Sequence, residues 1–113
     1  MRKFDPTATL RQTIDFIQEA QALVAGLTLD QLLADPIKLR DFDRVMELVG
    51  ESVKRVPQDF RDTHSQIPWK KIAGITDIIS HAYEDLAYEV LWDALEMNFP
   101  DLLSDLKGIL SEL

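Results

Sequence analysis

Asp77, His81 and Tyr83 are the residues of this chain best suited to chemistry, in the stretch Ile75 to Leu86. The stretch reads as one helix, apolar on one side. Residues four apart on a helix face each other, so the Asp77 carboxylate can reach the His81 imidazole. That contact would hold the ring in one tautomer and favour its charged form. A histidine tuned this way suits general acid or base work near neutral pH. Cleavage of RNA by its adjacent 2′-hydroxyl needs such a group, because a proton must leave that hydroxyl. It also needs a cation beside the scissile phosphate to stabilise developing charge. The same spacing serves equally for a surface ion pair that only stabilises a helix. Tyr83, taken alone, is an ordinary core-edge tyrosine with its hydroxyl in water.

Other chemistries fit less well. Ser80 and His81 are adjacent on a helix and point in different directions, so Ser80, His81 and Asp77 cannot form a nucleophilic triad. Asp77, His81 and Asp85 share a face at successive four-residue steps, a conceivable carboxylate–histidine–carboxylate set. The second histidine, His64, stands at no standard ligand spacing from His81, and it reads as an exposed loop residue. The four glycines, Gly26, Gly50, Gly74 and Gly108, are isolated, so there is no phosphate-cradling loop. Cysteine is absent, which excludes thiolate metal sites and a disulfide framework. The expectation is no resident metal and no cofactor.

The elements that must position these residues are helices throughout. Asp5-Pro6 reads as an N-cap followed by proline at the first helical position. Leu10, Ile14, Ile17, Leu23 and Val24 carry an apolar stripe to a stop at Gly26. Thr28 and Gln31 have capping-box spacing before a short apolar segment. Asp35-Pro36 restarts the chain, and Leu39, Phe42, Val45, Met46, Val49, Val53 and Val56 recur at spacings of three and four until Pro57. Gly50 inside that pattern weakens the helix, and a close helix crossing best explains it. Residues 57–67 lack periodicity and read as the longest connection. Pro68 opens a further helix with Trp69, Ile72, Ala73, Ile75, Ile78, Ile79 and Ala82 on its apolar side. Tyr88, Leu91, Trp92 and Leu95 mark another. Pro100 sits at a helix start or kink before Leu102, Leu103, Leu106, Ile109 and Leu110. The predicted fold is all-α, an antiparallel bundle of four to five helices in a single domain over residues 1–113. Its apolar arc at Ile75, Ile78, Ile79 and Ala82 is wider than one small core needs, which predicts a two-fold homodimer.

Charge narrows the function classes. The net charge of -8 across 113 residues argues against nonspecific adhesion to nucleic acid. The distribution is uneven, though. Residues 36–71 hold eight Lys or Arg against six Asp or Glu, whereas residues 72–113 hold one against nine. Lys54, Arg55, Arg61, Lys70 and Lys71 lie in the basic middle. They form either a solvated helix face or a patch that draws in phosphates. The N-terminus lacks the apolar core of a signal peptide, and no run approaches the roughly 18 apolar residues of a membrane span. These features lead us to expect a cytoplasmic protein.

Four stretches together carry a family resemblance: GESVKRVPQDFR (Gly50 to Arg61), IPWKKIAGITDIISHAY (Ile67 to Tyr83), LWD (Leu91 to Asp93) and FPDLLSDL (Phe99 to Leu106). In order and spacing they resemble the HepT-like branch of the HEPN superfamily over nearly the whole chain. The resemblance implies an all-α bundle, a homodimer and a metal-independent endoribonuclease toxin. It also implies a small nucleotidyltransferase antitoxin of the MntA type, which silences the toxin by transferring AMP to the motif tyrosine. The family motif is arginine, four to six residues, histidine, any residue, tyrosine. His81 and Tyr83 match its second half, as catalytic histidine and AMP acceptor. The arginine does not match: its place falls on Gly74, Ile75 or Thr76, and by the family's wording on Thr76, with Asp77 at a polar position that often follows. A threonine hydroxyl cannot replace a guanidinium gripping a phosphate in a fork. Losing one such contact costs about 3–4 kcal/mol, or roughly 100- to 1000-fold in rate. Lys70 and Lys71, one to two turns earlier, are poor substitutes. The expectation is therefore a weakened ribonuclease, with an inactive dimer that binds a nucleotidyltransferase as the alternative.

Overall fold

The computed structural model describes residues 4–80 and 85–113, without the side chains of Ser80, Asp85 and Leu86. Every element among them is helical. Helix α1 spans Pro6–Leu23, α2 Leu29–Leu33, α3 Pro36–Lys54, α4 Gln58–Thr63, α5 Trp69–Ala73, α6 Ile75–Ser80, α7 Asp85–Asp93 and α8 Phe99–Ser111. A π-helical turn over Ala94–Asn98 joins the last two.

The starts follow from side-chain caps. Asp5 accepts from the Ala8 N–H at 3.1 Å, and Asp35 from the Lys38 N–H at 3.1 Å. A proline follows each, where no N–H is required. Thr28 and Gln31 close a reciprocal capping box at 3.1 and 2.9 Å. Beyond α1 the chain turns through Gly26 at φ 79°, a left-handed conformation that glycine adopts without steric cost.

Pro100 stands in the first turn of α8, at a helix start as its position suggested. It has no N–H, and its ring would crowd the carbonyl four residues back. The widened turn accommodates it, with the Phe99 N–H bonding to the Ala94 carbonyl. The helical path therefore runs through α7, the π turn and α8.

Three expectations are corrected. Residues 57–67 are not merely a connection, because α4 forms within them, starting after Pro57. An aromatic cluster explains it. The Phe60 ring on α4 meets Phe4 edge-on at 5.4 Å, His64 at 4.6 Å and Trp69 at 6.3 Å. His64 is accordingly half-buried against Phe60 rather than an exposed loop residue. The helix expected from Pro68 onward is divided at Gly74 into α5 and α6.

The core joins all the long elements. Leu10, Ile17, Phe42, Met46, Val49, Leu91, Phe99 and Leu106 are essentially inaccessible to solvent. A polar pin crosses from α1 to α3: the Thr13 and Ser52 hydroxyls are 2.7 Å apart, so one donates to the other, and the one that accepts can donate to a carbonyl of its own helix. Ile78 and Ile79 are only half-buried. No helix among the described residues is long and apolar enough to cross a membrane.

Candidate functional site

The site is built on the crossing of α3 and α6. The two helices approach closely because Gly50 has no side chain. A Cβ there would stand 2.8 Å from the Thr76 methyl and 3.3 Å from the Thr76 backbone nitrogen, closer than packed atoms tolerate. The glycine in the α3 pattern is thus a crossing point, as its position suggested.

Thr76 lies in the first turn of α6, 8% exposed. Its methyl faces Gly50. Its hydroxyl donates to the Ala73 carbonyl at 3.1 Å and accepts from the Lys54 ammonium. Gly50 and Lys54 are four apart on α3, so one helix face holds both ends of the threonine side chain. Lys54 itself is exposed. Its ammonium meets the Thr76 hydroxyl at the part-buried edge of the crossing. Lys54 also lies in the last turn of α3, where the helix dipole favours a cation.

Asp77, the next residue, is exposed, and its N–H bonds the Gly74 carbonyl at 3.1 Å. His81 and Tyr83 lie outside the described residues. They follow Thr76 in sequence by five and seven positions.

The other basic residues of the middle of the chain have contacts of their own. Arg55 is exposed and donates to the Gln12 side chain on α1 at 2.8 Å. Arg61 turns back onto the end of α3, where its guanidinium bonds the Val56 and Val53 carbonyls at 2.9 and 3.0 Å. Val53 lies in the last turn of α3 and Val56 just beyond its C-cap, so the guanidinium braces the exit of the helix. Arg61, Lys70 and Lys71 line a surface hollow of about 600 Å³, with Asp62 in the same wall. A second cavity, about 430 Å³, is lined by Ile72, Ile75, Leu91 and Phe99 and carries Asp93, Asp101 and Asp105. Its acidic groups make it a poor place for a phosphate.

A further pair escaped the sequence reading. The Tyr88 hydroxyl donates to Asp43 Oδ2 at 3.0 Å, while Asp43 Oδ1 is buried and meets no donor among the described residues. Burial pushes the Asp43 carboxyl above its ordinary range; the bond from Tyr88 opposes the shift and nearby Glu47 adds to it. Burial and then the Asp43 carboxylate push the Tyr88 hydroxyl up to about 12. The two residues are 45 apart, and nothing in local spacing could have linked them. Among the described residues no group of three or more metal-ligating side chains converges.

The family model of the HepT-like ribonucleases matches residues 13–109. The chain belongs to the HepT-like family. A Caldanaerobacter subterraneus subsp. tengcongensis protein, "Putative RNase TTE0752", is 36% identical over 99 residues, covering 85% of this chain and 88% of its own. "Putative RNase MJ0127" of Methanocaldococcus jannaschii is 28% identical over 113 residues, covering all of this chain and 93% of its own. "Probable ribonuclease HepT" of Thermococcus cleftensis is 37% identical over 59 residues, covering 52% of this chain and 54% of its own. No solved structure matches. This HepT-like chain carries the all-α fold that the family resemblance implied.

Proposed function

We propose that this protein is a metal-independent RNA endonuclease of the HEPN type, the toxin half of a toxin–antitoxin pair. The supporting observation is the family match across residues 13–109, together with His81 and Tyr83 at the motif spacing. In this reading His81 takes the proton from the 2′-hydroxyl that attacks the neighbouring phosphate, and Asp77 orients and charges its ring. The phosphate needs compensation for the charge that develops in the transition state. Thr76 supplies none, since its one hydroxyl proton is donated to the Ala73 carbonyl. Activity is accordingly lower than in a relative that keeps the arginine.

Two copies act together. The half-buried Ile78 and Ile79 suit burial against a second copy, which would bring two His81-bearing helices to one cleft. A nucleotidyltransferase antitoxin of the MntA type blocks the site by placing AMP on Tyr83.

RNA degradation by the protein, by His81→Ala and by Thr76→Arg tests the reading. Cleavage that His81→Ala abolishes supports it. Absence of cleavage from the protein and from Thr76→Arg contradicts it and favours an inactive dimer that binds the nucleotidyltransferase. Incubation with such an antitoxin and ATP should add one AMP at Tyr83, read by mass spectrometry.

A further inference from the structure

We propose that Lys54 is the phosphate-binding cation of this site, delivered from α3 and held in place by Thr76. The inference rests on the ribonuclease reading and extends it to a residue outside the motif. Three observations carry it. The Lys54 ammonium bonds the hydroxyl of the residue that stands at the arginine position. Gly50, one turn earlier on the same face of α3, lets the two helices close to the distance that this bond requires. Lys54 is exposed while Thr76 is buried, and the bond between them is part-buried, so the pair lies at the edge of the crossing. An ammonium has three donors, and Thr76 uses one of them.

The threonine then has a role that its chemistry can fill. It cannot bind a phosphate through charge, but it can hold an amine that does. The hydroxyl donates to Ala73 and accepts from Lys54, so its lone pair faces the ammonium in a fixed orientation. Thr76 is a positioning residue. Among the described residues Lys54 forms no ion pair with a carboxylate, in contrast to Arg44, which lies 3.5 Å from Glu47. A cation held by a neutral partner keeps its charge available to a substrate. A lysine is a point charge without a guanidinium's fork, so the substitution gives a weaker but functioning contact.

The other basic residues have different tasks. The Arg61 guanidinium is committed to the Val53 and Val56 carbonyls at the exit of α3, and Arg55 to Gln12. Lys70 and Lys71 line the hollow beside Arg61.

The test uses the full chain and two readouts. Cleavage of a labelled RNA is measured for the protein and for Lys54→Ala, Lys54→Arg, Thr76→Val and Thr76→Ser, with Lys107→Ala as a control of equal charge change on α8. Lys54→Ala should lower kcat at least 100-fold, and Lys54→Arg should stay within tenfold of the unaltered protein. Thr76→Val should lower kcat about tenfold, and Thr76→Ser should restore it. Binding of a 2′-O-methyl oligoribonucleotide, which lacks the attacking hydroxyl, is measured against salt. Lys54→Ala should reduce the slope of log K against log[salt] by about 0.7, the contribution of one phosphate contact on a single strand. Lys107→Ala should leave both readouts unchanged. Cleavage and salt slope of Lys54→Ala equal to those of Lys107→Ala would overturn the proposal, even with His81-dependent cleavage intact. If the unaltered protein fails to cleave RNA, the ribonuclease reading falls by itself, and the salt slope still decides whether Lys54 binds phosphate.

Discussion

The Tyr88 hydroxyl and the Asp43 carboxylate, 3.0 Å apart, show how one bond ties a side-chain pair to pH. Both groups titrate higher in the folded protein than in the unfolded chain. Each therefore favours folding below its unfolded pKa and loses that contribution as pH rises through its folded value. For Tyr88 the loss begins near the model-peptide value of 10.0 and is complete above about 12. Urea unfolding across that range should show stability falling with pH in the unaltered protein, and less steeply in Tyr88→Phe. At neutral pH the same variant should lose about 1 kcal/mol, because the Asp43 carboxylate then has one donor fewer. Asp43 and Tyr88 looked unremarkable in sequence, since tertiary contacts across distant segments leave no local signal. Lys54 was visible only as one member of a basic run; its pairing with Thr76 depends on how α3 and α6 cross. Gly50 was the one residue that announced that crossing.

Helices were the more legible scale. Asp5 and Thr28 cap the elements that they seemed to cap, and Asp35 caps the helix that begins where the chain restarts, because a capping bond spans only three residues and is written in the local sequence. The connection over residues 57–67 was not legible in the same way. Helix α4 exists because Phe60 reaches Phe4, His64 and Trp69, and a six-residue helix has too few turns to show a period. Two predictions belong at this scale. Gly50→Ala gains helix propensity of about 1 kcal/mol. It also drives a Cβ to 2.8 Å from the Thr76 methyl, and overpacking of this kind costs about 1–3 kcal/mol. Net destabilisation in urea, together with loss of cleavage, is expected. Arg61→Ala removes both bonds to the end of α3, and the loss should be about 2 kcal/mol. Its effect on RNA binding should be smaller than that of Lys54→Ala, which separates a capping arginine from a phosphate-binding lysine.

At the scale of the whole molecule, the fold class was legible from punctuation and periodicity, and the family from four short stretches. What the sequence left open is the assembly, because the half-buried Ile78 and Ile79 suit a second copy without fixing its orientation. Sedimentation at micromolar concentration should return twice the mass of the chain. The basic groups of residues 36–71 should make RNA association fall with salt. The proposed activity is cleavage of RNA through the 2′-hydroxyl, with His81 as the proton-transfer group. The most direct measurement is end-group analysis of RNA incubated with the protein in the presence of a metal chelator. The expected result is fragments ending in 2′,3′-cyclic phosphate, formed by the unaltered protein and absent with His81→Ala. Intact RNA, or the same fragments from His81→Ala, would contradict it.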